Sequence, residues 1–514
     1  MDDHVPAEAR YRTERPITGS MLYDLVTCER RVHHDLHGDV ERRDPVGDFV
    51  RMLWEGGRVH EQNVIDRLTG AVCDLRSSGP DERFAATMTA LRSGADVILG
   101  GLLRVDDLVG MPDLLRRDGS LWIAGDVKSG SPYAQSGKPR LEYAVQVALY
   151  ASVLQRLGVG SERHAFVIGA DGVEVLYDLA TPYDRSGRSL AERTEALVQH
   201  AREIRDSLRG SRGALSAGCK LCHWHSACEH ELVETDDLTL LAGVGRAVRD
   251  ALLPVAPSVD ALASLDLAPE GKSAASSIRG VGRDRLRRFR ERARLMKSPG
   301  ALPYALRDLG LATTGPEIHF DIEADPSRNG FVYLHGFWCR QAGDPPHAGH
   351  YEHFFAETQD DEAEAFSEAI AFLQADPEAM IYYYSKYERS SFRQLARRHP
   401  HVASEEVIEA LFDPRRAVDL LFDVITPYTE WPTRNLSIKT LARSLGFEWG
   451  DADASGANSI AWYDEYARTG DAKVKQRILD YNRDDVVASA VVLDGLRSLK
   501  VASAAPWPPI AGCI

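Results

Sequence analysis

The sequence predicts an α/β chain in which two mixed α/β blocks flank a short helical block. Strand-like alternation is interleaved with amphipathic helical spacing in residues 1–234 and again in about 312–500, whereas residues 235–300 show only short helical patterns. A chain of 514 residues is long enough for several domains with sizeable cores. We therefore predict domains at 1–234, 235–300 and 301–502, followed by a loose tail at 503–514.

Composition limits the class of protein. The chain is 44% hydrophobic and 27% charged, as in ordinary soluble domains, and its first residues lack the apolar core of a signal peptide. No stretch approaches roughly 18 consecutive apolar residues, so we expect a cytoplasmic location and no membrane partner. The formal net charge of −16 argues against a general nucleic-acid coat, because phosphate binding needs local positive charge.

The first strand pair carries two acidic residues and a lysine. Asp113 begins and Asp126 ends a segment typical of strand, Asp-Gly turn and strand, and Lys128 follows closely. A hairpin brings both carboxylates to one end of the sheet, where they can hold a hard divalent cation such as Mg²⁺ or Mn²⁺. The cation lowers the pKa of bound water and Lys128 stabilises negative charge, which is the chemistry of metal-assisted phosphodiester hydrolysis.

Flanking helical segments extend this pattern. His60 lies in one of them, and Gln146 and Tyr150, four residues apart, share one face of another. Each of these features is, by itself, more often structural than functional. Together with the hairpin, in this order along the chain, they resemble the RecB-like branch of the PD-(D/E)xK nuclease superfamily over roughly residues 15–234.

The resemblance implies a restriction-endonuclease-like domain with two groups of active-site residues. One group ligates the catalytic metal and consists of His60, Asp113 and Asp126. In the other group, Lys128 assists the attacking water, and Gln146 and Tyr150 shape the site and contact DNA.

Three of the seven cysteines have the spacing of a metal centre, Cys219-x2-Cys222-x5-Cys228. Three thiolates leave one ligand position open. From spacing alone, structural zinc with His223 or His225 as the fourth ligand is as plausible as an iron–sulfur cluster.

Iron–sulfur members of the same nuclease branch, such as CRISPR-associated RecB-like exonucleases and AddB-type nucleases, carry one cysteine before the nuclease core and three after it. By this resemblance Cys28 is the first ligand of a [4Fe–4S] cluster, and the three clustered cysteines are the others. Ligands from both ends would staple the domain. We expect ordinary side chains at Cys73, Cys339 and Cys513, and an incidental cluster at His33, His34 and His37.

The helical block repeats one local pattern, Gly243-Val-Gly245 and Gly280-Val-Gly282, each before an amphipathic stretch. Glycines let backbone N–H groups approach a phosphate closely. The pattern resembles the helix-hairpin-helix module, which grips nucleic-acid backbone without reading sequence. The strongest basic concentration of the chain follows the second copy, and the arginines predicted to bind nucleic acid are Arg283, Arg287 and Arg290.

The C-terminal block carries a second acidic pattern. Asp321 and Glu323 are two residues apart on an apolar strand and therefore face the same side. Carboxylates buried on one face repel each other unless a cation lies between them. Far downstream, Tyr481 and Asp485 lie one helical turn apart. Over about residues 312–500 this combination resembles the DEDD exonucleases of the ribonuclease-H-like fold, specifically the YprB-like branch.

By this second resemblance, Asp321, Glu323 and Asp485 bind two metal ions and Tyr481 positions the attacking water. Glu388 occupies the middle acidic position, where many members have Asp, and this difference puts rate and metal geometry in doubt. Asp484 competes with Asp485 for the last position, but the spacing from Tyr481 favours Asp485. Asp419 is expected to be structural.

The two resemblances together imply a metal-dependent DNA nuclease with two sites, acting on ends or single strands in DNA repair or foreign-DNA processing. The implied cofactors are Mg²⁺ or Mn²⁺ and a [4Fe–4S] cluster. The chain has no G-x4-G-K-[ST] loop, so any helicase must be a separate partner. Two alternatives stay open: a nucleic-acid-binding scaffold with one decayed site, and an RNA-processing 3′–5′ exonuclease.

Overall fold

The computed structural model describes residues 15–134, 137–183, 187–267, 278, 280–453 and 455–502. The chain divides into two compact units, residues 1–230 and 231–514, and the helical block and the second α/β block both fall in the second. The finer domain boundaries stay a prediction, and the predicted tail at 503–514, with Cys513, lies outside the described residues. No described helix is long and apolar enough to cross a membrane.

The first unit is built on a six-stranded mixed sheet. The strands of this unit are β1 (Ile17–Thr18), β2 (Val72–Asp74), β3 (Val97–Leu99), β4 (Leu103–Val105), β5 (Leu108–Gly110), β6 (Leu114–Asp118), β7 (Leu121–Val127), β8 (His164–Ile168) and β9 (Glu174–Asp178). The large sheet has the order β2-β3-β6-β7-β8-β9, and β1, β5 and β4 form a smaller sheet. The strand β7 lies at the centre, between an antiparallel neighbour, β6, and a parallel one, β8.

Helices cover this sheet. They are α1 (Gly19–Thr27), α2 (Glu29–His37), α3 (Asp48–Ile65), α4 (Pro80–Ala90), α5 (Leu141–Arg156), α6 (Leu190–Arg205) and α7 (His225–Glu234), which runs past the unit boundary. Ten residues of α5 are buried, because this helix packs against α1 and α6 as well as β7 and β8. A helix buried on several sides is apolar almost all round, which explains the run Ala144–Leu149.

The β6–β7 hairpin confirms the predicted strand, turn and strand. Gly119 at the turn has φ +62°, a conformation that glycine adopts without steric cost. Leu114 lies opposite Gly125 in the antiparallel register. Gly125 is required here because a Cβ on it would lie 2.1 Å from the Phe166 ring on β8.

The second unit contains a five-stranded sheet of order β13-β12-β11-β14-β15 and a separate pair, β10 with β16. The strands are β10 (Tyr304–Ala305), β11 (Pro316–Asp325), β12 (Phe331–Gln341), β13 (His350–Phe355), β14 (Met380–Tyr383), β15 (Ala417–Asp419) and β16 (Thr429–Glu430). The central strand β11 pairs antiparallel with β12 and parallel with β14. This mixed sheet with helices on it is the predicted α/β class.

The described helices of the second unit are α8 (Arg246–Leu252), α9 (Val259–Ala263), α10 (Arg283–Lys297), α11 (Glu362–Ala375), α12 (Lys386–Arg398), α13 (Glu405–Leu411), α14 (Thr426–Tyr428), α15 (Ile438–Ser444), α16 (Gly456–Thr469) and α17 (Ala472–Arg497). A π-helical turn, Leu420–Ile425, follows β15. The long helix α17 packs on β11 and β12, so it carries side chains directly to the central strand.

The two Gly-Val-Gly segments adopt the same local geometry. Gly243 and Gly280 have φ values of +83° and +82°, and Gly245 and Gly282 are the N-caps of α8 and α10. In each copy the intervening valine is buried, and its N–H donates to the carbonyl three residues earlier at 3.0 Å. The sequence repeat is therefore also a structural repeat.

Candidate active sites

The β6–β7 hairpin brings Asp113 and Asp126 to one end of the large sheet. Asp113 immediately precedes Leu114, which pairs with Gly125, so the register places the two aspartates next to each other. The Val127 N–H donates to Asp113 Oδ2 at 2.7 Å, which fixes one carboxylate relative to the neighbouring strand. The other carboxylate, Asp126, is 2% exposed.

The charged groups at this end of the sheet lie close enough to shift one another's pKa values. Burial, together with the neighbouring Asp126, raises the pKa of Asp113 to about 8. Burial by itself would lower the pKa of Lys128, but the Asp126 and Asp113 carboxylates outweigh it and raise the pKa. Lys128 forms an ion pair with Asp126. Two adjacent carboxylates, one of them with a raised pKa, are a suitable ligand set for a divalent cation.

The helix α5 supplies the floor of this site. The Gln146 Nε2 donates to the Tyr150 hydroxyl at 2.8 Å, so the two residues form one buried unit. Tyr150 packs so closely against the chain that a Cβ on Gly19 or Gly110 would lie 2.5 or 2.7 Å from its ring. The glycine of the Gly110-Met-Pro-Asp113 motif therefore makes room for Tyr150.

These residues line a cavity of about 760 Å³. It contains five of the six residues predicted for the first site, namely Asp113, Asp126, Lys128, Gln146 and Tyr150. Helix α3 also lines this cavity, with side chains that include Arg51, Trp54, Arg58 and Glu61.

His60 is placed differently from the other predicted residues. Its Nε2 lies 3.0 Å from the Gly169 carbonyl oxygen, and among the described lining residues α3 contributes Glu61 instead. Glu61 is close enough to add to the rise in the pKa of Asp113. The ligand role of His60 stays a prediction. Glu61 is a candidate that sequence reasoning missed, because nothing in the spacing distinguishes it from its neighbour.

The second acidic cluster lies in the other unit, on the central strand β11 and the long helix α17. Ligand oxygens of Asp321, Glu323 and Asp485 all lie within 4.8 Å of one another. Asp484 points elsewhere, since its Oδ2 accepts from the Gly450 N–H at 2.8 Å. The structure thus brings together the three carboxylates that strand and helix spacing selected.

Burial dominates the electrostatics of this cluster. It raises the pKa of Glu323 to about 8, with Asp485 adding to the rise, and it raises the pKa of Asp485 as well. The pKa of Asp321 is raised well above its ordinary value, first by burial and then by Glu323, Asp485 and Glu388. Carboxyl groups buried this close together need positive charge to ionise together.

A set of hydrogen bonds orients these ligands, and sequence reasoning did not find its members. Asn482 Nδ2 donates to Asp321 Oδ2 at 2.9 Å, and Trp449 Nε1 donates to Asp485 Oδ1 at 2.6 Å. Lys439 Nζ lies 3.3 Å from the Tyr481 hydroxyl, where its charge faces the carboxylates. Residues of this kind carry no motif of their own, because they are defined by distance from the ligands.

Glu388 lies in the first turn of α12 and is 3% exposed. Burial raises its pKa to about 8, and Asp419 adds to the rise. The hydroxyl of Ser385, a residue with φ +131°, lies 3.4 Å from Glu388 Oε2. Asp419 itself accepts from the Leu421 and Phe422 N–H groups, and the structural role expected for it stays a prediction.

Comparison with known families finds one match over each of the two regions that contain these clusters. The model of the PD-(D/E)XK nuclease superfamily matches residues 24–229, and the model of the RNase H superfamily matches residues 318–497. The chain joins two nuclease domains. It is therefore a phosphodiester hydrolase, and domains of both kinds use divalent metals such as Mg²⁺. No curated protein matches the chain.

The PD-(D/E)XK domain also brings cysteines from its two ends together. Burial raises the pKa of Cys222, and the thiols of Cys28 and Cys219 are close enough to raise it further. The Trp224 N–H, 3.4 Å from the Cys222 sulfur, and the charge of Arg31 oppose this rise. Three of the four predicted cluster ligands are thus neighbours, although Cys28 is far from the others in sequence.

The histidines weighed as a fourth zinc ligand have other partners. His223 Nε2 lies 2.8 Å from Asp35 Oδ1, and His225 Nε2 lies 3.9 Å from Glu229. A ring nitrogen of His34 lies within 4.8 Å of the Cys228 sulfur, and its ring stacks on Trp224 with centroids 5.0 Å apart. His34, expected to be incidental, is therefore an additional candidate ligand.

The basic helix α10 has two different faces. Arg288 and Arg292 are buried, and both pair with the buried carboxylate of Glu430 on β16. Arg292 also donates to the Ala242 carbonyl at 2.6 Å, beside the first Gly-Val-Gly turn. Part of the basic concentration is therefore internal. The arginines predicted to bind nucleic acid, which are Arg283, Arg287 and Arg290, are half-buried.

Proposed function

We propose that the chain is a metal-dependent DNA nuclease that degrades ends or single strands and joins a RecB-like PD-(D/E)xK domain to a YprB-like DEDD domain. The observation that carries the proposal is the convergence of buried carboxylates in each unit, Asp113 with Asp126 and Asp321 with Glu323 and Asp485. DNA repair or foreign-DNA processing in the cytoplasm, with a separate helicase as partner, is the setting that we infer for this activity.

In the first site, the carboxylates would hold Mg²⁺ or Mn²⁺, which supplies Lewis acidity and a more acidic bound water. Asp113 and Asp126 are fixed by the hairpin and lie on the cavity wall, where both can face the ion. Lys128 already pairs with Asp126 and can transfer this interaction to negative charge that develops on a phosphate. Tyr150 and Gln146 hold the floor in place.

In the second site, the three clustered carboxylates and Glu388 would hold the metal ions of an in-line displacement. Asn482 and Trp449 fix the directions of Asp321 and Asp485. The Tyr481 hydroxyl lies between Lys439 and Asp485, at a point from which it can hold a water molecule.

The test uses end-labelled single- and double-stranded DNA and RNA with Mg²⁺ and with Mn²⁺. We expect Asp126→Ala and Asp321→Ala each to abolish cleavage at one site, and the double variant to be inactive. Asp118→Ala, at the exposed end of the same hairpin, and Asp484→Ala are matched controls that should keep activity. Undiminished cleavage by the double variant would overturn the two-site proposal.

A second candidate function is nucleic-acid binding with a decayed DEDD site. Glu388 favours it, because a buried glutamate with a pKa of about 8 stands where many members have aspartate. Glu388→Asp and Glu388→Gln separate the two cases in an Asp126→Ala background. If the site is active, the Asp variant should keep or gain activity and the Gln variant lose it. If neither the parent nor the Asp variant cleaves any substrate, the DEDD domain is a binding domain.

The cysteine set fits a [4Fe–4S] cluster, which we propose as the cofactor of the PD-(D/E)xK domain. The convergence of Cys28, Cys219 and Cys222 supports it, since thiolates from both ends of a domain can share one cluster. Anaerobically purified protein should be brown and contain iron and sulfide. Colourless protein that contains zinc instead would show that the site is a zinc centre.

A further inference from the structure

Helix α3 lies at the surface, and its side chains contribute little to the hydrophobic core. Of its 18 residues only Val64 is buried. Trp54 is 59% exposed even though an indole is among the most apolar side chains that a helix can carry. The helix nevertheless forms one wall of the first catalytic cavity. A large aromatic surface left open at an active-site wall requires an explanation.

Seven residues of α3 line the cavity, and four of them form an ordered stripe; the other three are Leu53, Glu55 and Gly57. Arg51, Trp54, Arg58 and Glu61 are spaced by three, four and three residues, which places them on one face of the helix, and all four line the cavity. Glu61 is at the end near Asp113, and Gly57 is close to the catalytic strand, since a Cβ on it would lie 3.7 Å from Ser129 Oγ.

The stripe therefore leads outward from the metal-binding end in the order acid, cation, aromatic ring, cation. Met111, 58% exposed, lies in the turn just before Asp113 and lines the same cavity. Arg51 forms an ion pair with Asp48, but both side chains are largely exposed, so the pair is weak and exchangeable. Alternating cations and apolar surface match a nucleic-acid strand, in which phosphates alternate with bases.

We infer that this stripe is a track for single-stranded nucleic acid, with one unpaired base stacked on Trp54 and backbone phosphates bound by Arg51 and Arg58. A base can stack on a side chain only if its face is free. Single-stranded nucleic acid offers such bases, whereas the bases inside a duplex are already stacked on one another. The track would deliver the phosphate next to the stacked base to Asp113 and Asp126. The inference rests on the proposed nuclease function of this site and specifies its substrate.

The test measures binding separately from cleavage. In the full chain with Asp126→Asn and Asp321→Asn, anisotropy of a fluorescein-labelled oligothymidylate reports affinity. Trp54→Ala should weaken binding about tenfold, Trp54→Phe should keep most of it, and a duplex of the same length should respond little to either change. Val59→Ala, on the same helix and 57% exposed but outside the described cavity wall, is the matched control.

A local readout guards against misfolding and against binding elsewhere in the chain. Oligothymidylate carrying one iododeoxyuridine should photocrosslink to the α3 peptide that contains Trp54. At saturating oligonucleotide the crosslink should be kept in Trp54→Phe and lost in Trp54→Ala, which has no aromatic ring at this position. Unchanged affinity of Trp54→Ala, equal losses for duplex and single strand, or crosslinks only outside α3 would each overturn the track. If the wild-type chain cleaves nothing while these binding results hold, the proposed function fails and the track stands.

Discussion

Asn482 shows how much the geometry of the second carboxylate cluster can depend on one neutral residue. Its amide donates to Asp321 and accepts from the Tyr351 hydroxyl at 2.8 Å. Gly336, directly opposite Asp321 on β12, leaves the space that this amide fills, since a Cβ there would lie 1.6 Å from Asn482 Oδ1. The glycine, the amide and the carboxylate thus form one arrangement that holds Asp321 in a single orientation.

We predict that Asn482→Ala lowers DEDD-site activity by about 10- to 100-fold, because partners of metal ligands usually matter on that scale. The measurement is cleavage in an Asp126→Ala background as a function of Mn²⁺ concentration, and the half-saturating concentration should rise. Asn458→Ala is the control, since that side chain donates to the Asp453 carbonyl and not to a carboxylate of the cluster. Equal metal dependence in the two variants would contradict the role of Asn482.

His335 is a second residue whose environment makes a prediction. It is fully buried, and its ring stacks on Phe366 and meets the Phe392 ring edge-on. Burial lowers its pKa to about 3. Because the unfolded chain binds this proton near pH 6.5, the free energy of unfolding should fall as pH falls from about 6.5 towards 3.

His335→Leu should remove part of this acid sensitivity. The measurement is urea unfolding at several pH values between about 7 and about 4. The free energy of unfolding of the wild type should fall relative to that of the variant as pH falls. His350→Gln, at an exposed position, should leave the slope unchanged. A constant difference across this range would show that His335 does not titrate as inferred.

At the scale of residues, the sequence predicted the candidate metal ligands better than the residues that surround and orient them. Asp113, Asp126, Asp321 and Glu323 could be found because strand periodicity puts each on a defined face. Glu61 and Asn482 could not, because their importance depends on distances across the fold: Asn482 is 161 positions from Asp321.

At the scale of elements, α10 separates into an internal and an external face. Arg288 and Arg292, four residues apart, share the Glu430 carboxylate, while Arg287 is half-buried beside Asp284. The sequence indicated a basic helix after a Gly-Val-Gly turn, and the structure has both. Composition could not tell the two faces apart, because the anionic partner lies more than a hundred residues downstream.

We predict that Glu430→Gln lowers the free energy of unfolding of the second unit by about 3–5 kcal/mol, since it leaves two buried guanidinium groups without their charged partner. Urea unfolding followed by circular dichroism measures this. Arg287→Gln should change stability by less than about 0.5 kcal/mol and weaken DNA binding instead. A large loss of stability in Arg287→Gln would mean that both faces of α10 are structural.

At the scale of the whole molecule, two nuclease domains occupy two compact units, each with its own carboxylate cluster. In the first unit, Cys28 lies close to Cys219 and Cys222, although almost two hundred residues separate it from them. A cluster that joins both ends of a domain restricts the unfolded chain and stabilises the fold.

We predict that Cys28→Ser loses most of its iron and unfolds in the first unit at lower urea concentration, while the second unit is unchanged. Hydrogen exchange resolved by peptide measures the two units separately. Cys339→Ser, in the second unit, is the control and should keep full iron content. If Cys28→Ser retains its iron, the cluster has a different fourth ligand. His34 is then the first residue to substitute in order to find it.

The sequence by itself determined both carboxylate patterns: the hairpin that pairs Asp113 with Asp126, and the strand and helix spacings that select Asp321, Glu323 and Asp485. These patterns are local, because the repeat of a strand or helix sets which side chains share a face. Only the tertiary structure placed Glu61 at the first cavity, Asn482 on Asp321, and Arg288 and Arg292 on Glu430. Such contacts arise when distant segments pack, and no local periodicity records them.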